Sequence, residues 1–214
     1  MTEKWLNDEE LTAKIAALEE NYKIVTENVA QAAIKSGRKP EEITLLAATK
    51  TVPVPVINRA IELGITCIGE NKVQELCEKY DQLHLEHCDC HFIGHLQTNK
   101  VKQLIGKVSM IHSVDSVKLA KEISKISQQQ HLVTDILVEI NVGKEESKGG
   151  IYIEDTESFL GEISTLSGIS VKGLMTIPPA DENITKTIHY FENMYKRSEE
   201  RRVGKESRSR WSPY

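Results

Sequence analysis

No run of about 18 consecutive apolar residues occurs anywhere in the 214-residue chain, which removes the signature of a bilayer-spanning helix. The start, Met1-Thr2-Glu3-Lys4-Trp5, has no apolar segment of the kind that directs secretion. There is no excess of positive charge either: the net charge is −5, so attraction to nucleic acid or to an anionic membrane surface has no electrostatic basis. Cysteines are few and unevenly placed. Cys67, Cys77, Cys88 and Cys90 lie in one short region, unlike a disulfide framework spread through a secreted domain, and free thiols are expected. The cluster His87-Cys88-Asp89-Cys90-His91 offers metal-ligating atoms, but one Cys-x-Cys without a second pair is a poor zinc signal, and a connecting loop without metal is expected. These absences favour a soluble cytoplasmic monomer with partners that are neither nucleic acid nor membrane.

What is present is an alternation. Asn7 and Glu10 form a capping-box-like start to a helix running to about Ser36. Leu11, Ile15, Leu18, Tyr22, Val25, Val29 and Ala32 make its apolar seam, and Gly37 ends it. From Ile43 onward apolar runs alternate with stretches of helical period. The strands read as 43–49, 66–69, 91–94, 110–113, 135–141 and 171–176; the helices as 54–63, 72–83, 99–105, 116–129, 156–166 and 184–195. Such alternation argues parallel strands with right-handed crossovers, in a doubly wound sheet or a (β/α) barrel. The first strand is followed by Lys50-Thr51-Val52-Pro53, nothing like the Gly-x-Gly-x-x-Gly turn of a dinucleotide-binding sheet. Polar side chains recur at the strand exits: Lys50, Glu70 with Asn71, His95, Ser113 with Asp115, Asn141, and Met175 with Thr176. A barrel gathers its exits at one mouth, so the barrel is favoured.

The run Leu45 to Val52 reads as a strand buried on both faces that ends in a lysine. A free lysine amine has a pKa of about 10.4, and a strand end that desolvates it makes it a nucleophile toward carbonyl groups. The run alone leaves open a lysine that reaches back to solvent. Only six strands are present where a closed barrel of this type has eight. After Lys196 the composition changes abruptly: residues 197–214 hold six Lys or Arg, three Glu and one aliphatic residue. Taking these three excess positive charges from the net −5 leaves −8 elsewhere. The stretch resembles the in-frame translation of a sequencing adapter, with Ser207 where that string has Cys, and is expected to be non-native.

Six blocks in order carry a further resemblance: Leu46 to Thr51 (LAATKT), Ile68 to Glu75 (IGENKVQE), His91 to Lys100 (HFIGHLQTNK), Ile111 to Ser116 (IHSVDS), Glu139 to Val142 (EINV) and Gly173 to Pro179 (GLMTIPP). From about Leu6 to Lys196 the chain resembles the pyridoxal-phosphate homeostasis proteins, also called the proline-synthetase co-transcribed or alanine-racemase-amino-terminal-like family. The resemblance implies an α/β fold: a (β/α) TIM-type barrel of the alanine-racemase kind, incomplete over residues 1–196 and including the helix 7–36. It also implies pyridoxal 5'-phosphate held as a Schiff base on Lys50. Asn71 would hydrogen-bond the ring substituents, His95 would stand at the next exit, and Met175 would lay a thioether against the ring. Each has an ordinary alternative as helix cap, loop residue or core side chain.

The family role implied is a carrier that limits free aldehyde and passes the cofactor to pyridoxal-phosphate-dependent apo-enzymes, without turnover of its own. The alternative is a racemase of the same barrel class, which needs a second acid/base opposite the lysine. None of Tyr22, Tyr80, Tyr152, Tyr190, Tyr195 and Tyr214 falls at a strand exit, which disfavours it. Family members bind the phosphate with loops after the seventh and eighth strands, absent here, so weak or no binding is expected of this chain beside a full-length parent.

Overall fold

The computed structural model describes residues 7–145, 148–180 and 184–209, the stretch 199–209 as helical backbone only. It resolves into two compact units that divide between Phe92 and Ile93.

The first unit opens with α1 (Asp8–Lys35). Asn7 Oδ1 accepts from the Glu10 amide and Glu10 Oε2 accepts from the Asn7 amide, the reciprocal box expected from the sequence. The seam, however, is only partly covered: Leu11, Ile15, Leu18, Tyr22 and Val29 are half-buried, Val25 and Ala32 are exposed, and Ala33 is buried. A straight helix of 3.6 residues per turn drifts about 20° per heptad from a 3.5-residue repeat. Over four heptads that moves the packed face by nearly one residue, from Ala32 to Ala33. Gly37 follows at φ 74, and the Arg38 amide closes the end on the Ala33 carbonyl at 2.9 Å.

Three parallel strands follow in sequence order: β1 (Ala47–Ala48), β2 (Cys67–Glu70) and β3 (Asp89–Phe92), with α2 (Val54–Glu62) and α3 (Val73–Lys79) as crossovers. Ile57, Ile68, Leu76 and Phe92 form the apolar centre. Two expectations are corrected here. The strand expected over 43–49 shortens to Ala47 and Ala48, and the run from Leu45 to Val52 is not buried on both faces, since Leu45 and Leu46 are half-buried and Ala48 is exposed. β1 pairs with β2 along one edge, and among the described residues no strand lies on its other edge. The third strand begins at Asp89 rather than His91, because the Asp89 amide already donates to the Thr66 carbonyl at 2.9 Å. Half of the His/Cys cluster expected to be loop is therefore sheet, with Cys88, Cys90 and Phe92 buried alternately.

In the second unit β4 (Met110–Val114), β5 (Thr134–Glu139) and β6 (Ile169–Met175) are again parallel neighbours. They alternate with α4 (Val101–Leu104), α5 (Val117–Gln129), α6 (Thr156–Ile163) and α7 (Ile184–Ser209). Ser116 caps α5 by accepting from the Leu119 amide, and Ile111, Val114, Ile123, Ile136, Val138 and Ile163 fill the core. Of the terminal stretch 197–214, the backbone continues α7 to Ser209; the side chains of 199–209 and all of 210–214 lie outside the described residues. Among the described residues no helix is long and apolar enough to cross a membrane.

Candidate functional site

The exits of β1 and β2 lie side by side in the first unit; Asn71 follows β2 directly, and Lys50 follows β1 after Thr49. Lys50 is exposed, so the expected desolvation of its amine is absent; the buried residue is its neighbour Thr49, at 4% exposure. Asn71 is half-buried, and its Oδ1 is a buried acceptor with no hydrogen-bond partner among the described residues.

Beneath Lys50 lies a buried charge network. Thr49 Oγ1 donates to Glu70 Oε1 at 2.8 Å, and Lys79 Nζ donates to the Thr49 carbonyl at 3.2 Å, to Glu70 Oε1 at 3.2 Å and to Glu75 Oε1 at 2.6 Å. The Thr51 amide donates to the same Glu75 oxygen. Thr51 itself sits at φ 60, the left-handed region in which a β-branched residue is an outlier. Glu70 is fully buried and Lys79 is 4% exposed. Burial alone would raise the Glu75 carboxyl. The hydrogen bonds from Lys79 and Thr51, with the charges of Lys79 and Lys72, outweigh it and hold the group below the usual carboxylate range.

Sequence reasoning did not single out Lys79, which falls within the helix expected over 72–83. The signal was there: Val73, Leu76 and Lys79 recur every three residues, and all three are buried.

The second unit carries the other two expected residues. His95 stands between β3 and the helical turn at Thr98–Lys100, with a side chain 69% exposed and its Nδ1 3.9 Å from Asp115 Oδ2. Met175 ends β6, half-buried and in register with Glu139; its carbonyl accepts from the Ile140 amide at 2.8 Å. At the β4 exit Ser113 Oγ is buried without a hydrogen-bond partner among the described residues. Asn141 is 7% exposed and gathers the loop after β5. Its Nδ2 donates to the carbonyls of Glu145 (2.8 Å) and Lys148 (3.3 Å), and its Oδ1 accepts from the Glu145 amide.

The Glu139 carboxyl is raised, chiefly by burial and then by the negative charge of Asp115, with His95 opposing. For a carboxyl raised in the folded state, the stabilising contribution is complete at low pH and fades as pH climbs from the ordinary glutamate range through the raised value. Glu139→Gln is expected to flatten that dependence and to raise the neutral-pH Tm. Melting curves from pH 4 to 8 (roughly the span of these titrations) check it; an unchanged pH profile would refute the assignment.

All four cysteines are free. The Cys67 and Cys90 thiols are pushed up to about 12, foremost by burial, which makes them poor nucleophiles. Among the described residues no three His, Cys, Asp or Glu side chains are placed to hold a metal ion. A polar cleft lined by Thr44, Thr66, His87, Cys88 and Asp89 lies at the strand entrances, the opposite end from Lys50.

Comparison with known proteins supplies the remaining information. The sequence model of the alanine racemase N-terminal domain matches residues 14–209. The pyridoxal phosphate homeostasis protein of Aquifex aeolicus is 44% identical over 170 residues, 79% of this chain and 75% of that protein. A crystal structure described as an unknown protein from Bifidobacterium adolescentis superposes with TM-score 0.83 at 32% identity, covering 90% of this chain and 80% of that one. PipY of Synechococcus elongatus, solved with PLP bound, gives TM-score 0.68 at 28% identity, covering 80% and 81%. The arrangement of parallel strands and crossover helices is thus that of the barrel domain of alanine racemases.

Proposed function

Because the chain belongs to the pyridoxal phosphate homeostasis protein family, we propose that it binds pyridoxal 5'-phosphate and serves in the management of that cofactor rather than in turnover of a substrate. Lys50 is the point of covalent attachment, and pyridoxal-phosphate-dependent apo-enzymes are the recipients. When bound, the cofactor supplies an aldehyde for a lysine amine to capture and an electron-poor ring.

The residues present fit its reactive end. Lys50 offers an amine open to solvent just past Thr49 at the β1 exit, and the neighbouring β2 exit presents Asn71 Oδ1, a buried acceptor without a donor among the described residues. That orphaned oxygen beside the only lysine of the Thr49-Lys50-Thr51 exit is the observation that carries the reading; a buried acceptor left unpaired costs about 1–3 kcal/mol, which a ring hydroxyl would relieve. His95 and Met175, both in the second unit, are proposed as further cofactor contacts on the resemblance of their sequence blocks alone, the first as a polar partner and the second as a polarizable surface.

Reductive trapping tests this. The protein is incubated with saturating pyridoxal 5'-phosphate, treated with borohydride and digested, and the peptides are weighed. The cofactor mass is expected on the peptide carrying Lys50, and to vanish from it in Lys50→Ala with no other lysine gaining it. Trapping spread over surface lysines in proportion to their exposure would overturn the reading.

A further inference from the structure

We propose that Lys79 is a positioning residue for Lys50: a buried ammonium that clamps the two peptide units flanking the attachment lysine, so that its amine leaves the sheet in one direction. This rests on the reading of Lys50 as the site of cofactor attachment.

Lys79 Nζ holds the carbonyl of Thr49 directly, at 3.2 Å. Through Glu75 Oε1 it holds the amide of Thr51. Through Glu70 Oε1 it holds the Thr49 hydroxyl, and Glu70 is itself the last residue of β2. The residue before Lys50 and the residue after it are therefore both fastened to one side chain, while Lys50 makes no bond to the network and stays open to solvent.

Stability alone is a poor explanation for this construction. Buried ion pairs are often matched or exceeded in stability by apolar side chains of similar volume, because desolvating the charges offsets their attraction. Here the pairing is also incomplete: Glu70 Oε2 is buried without a hydrogen-bond partner among the described residues. The backbone is further held where it would not go by itself, with Thr51 at φ 60 although threonine is β-branched. Conformations of that kind persist only where surrounding bonds impose them; here the Val52 amide closes a turn on the Thr49 carbonyl at 3.0 Å, and the Thr51 amide at its centre donates to Glu75. The common geometric consequence is a fixed path for the chain through Lys50. Misplacement of a reacting group by about 1 Å can cost 100-fold in rate, so such fixing has a chemical return.

The test uses the full chain and two variants, Lys79→Met/Glu70→Gln, which removes both buried charges together, and Glu75→Ala, which frees the Thr51 amide at a partly exposed position. Each is incubated with pyridoxal 5'-phosphate, trapped with borohydride at successive times, and read as the ratio of label on Lys50 to label on Lys125, whose side chain is 61% exposed and serves as the internal standard. Circular dichroism confirms folding before each measurement. The unaltered chain should favour Lys50, and both variants, while folded, should lose at least about ten-fold of that preference. An unchanged ratio in both folded variants would overturn the positioning role and leave Lys50 as the attachment site. No preference for Lys50 in the unaltered chain would overturn the attachment reading, and the positioning role with it.

Discussion

Lys79→Met is expected to lower stability by about 3–5 kcal/mol, a fall in Tm on the order of 10 °C for a chain of this length. The reason is asymmetry. The lysine stem occupies buried space that methionine also fills, so little packing is lost, but Glu70 is 0% exposed and keeps a single donor, the Thr49 hydroxyl, once the ammonium is gone. A carboxylate in that position must either remain charged and unpaired or take up a proton. Glu70→Gln in the same chain is therefore expected to recover most of the loss, which simple damage to packing would not allow. The network also has a pH signature. Glu75 is held below the ordinary carboxylate range by its bonds to Lys79 and the Thr51 amide, so its contribution is present above that range and is lost as pH falls through the depressed value. Lys79→Met should therefore be less sensitive to acid than the parent, since much of what acid removes is already missing. Urea denaturation at several pH values measures both effects. Melting of Lys79→Met within a degree or two of the parent would show that Glu70 is not left as an uncompensated buried charge, and would refute the argument from asymmetry.

How much of this was legible in the sequence depends on whether a signal was local. The capping box of Asn7 and Glu10, the extents of α2 and α5 to within about one residue, and all six strands in order follow from periodicity and punctuation, and the structure has them. Where edges moved, a long-range bond moved them: β3 begins early because Thr66, on the neighbouring strand, offers its carbonyl to Asp89. The face covered on α1 shifts because a 3.5-residue pattern was laid on a 3.6-residue helix. The placement of Lys50 after β1 was legible, but its exposure was not. A buried-looking run of Leu45, Leu46, Ala47 and Ala48 supplies hydrophobicity, while burial on the second face needs a neighbour on the far side of β1.

The network beneath Lys50 shows a different limit. Glu70, Glu75 and Lys79 each fit an ordinary role in the sequence: a strand end, a first-turn acid and an i,i+4 partner on a helix. Only the pairing of β1 with β2, and the docking of α3 on that pair, brings Thr49 and Thr51 to them. Charged residues falling on an apolar helical stripe are thus informative in a way that composition is not. Lys79 breaks the hydrophobic pattern of α3 at the position where a side chain must be buried, so the pattern itself implies a partner of opposite charge inside.

In the second unit the largest expected effect comes from a glycine. A methyl group added at Gly168 would lie 2.1 Å from the Ser124 carbonyl oxygen and 2.8 Å from its carbonyl carbon, both backbone atoms of α5 that no rotamer change can move. The same residue donates its amide to Ser124 Oγ at 3.0 Å and accepts from the Thr134 amide at 3.0 Å, so α5, β5 and the entry to β6 converge on it. Gly168→Ala must push the helix off the sheet or break those bonds, and a loss of at least about 3 kcal/mol is expected, within the range that overpacking of a rigid core produces. Gly161 is the control. It lies in α6, is exposed, and has nothing within 4 Å of an added methyl, so Gly161→Ala should instead gain up to about 1 kcal/mol from helix propensity. Opposite shifts of the two variants in a single denaturation experiment would place the tightest helix-to-sheet contact of this unit at Gly168. If Gly168→Ala melted with the parent, α5 would have to sit farther from β6 than the 2.1 Å approach permits.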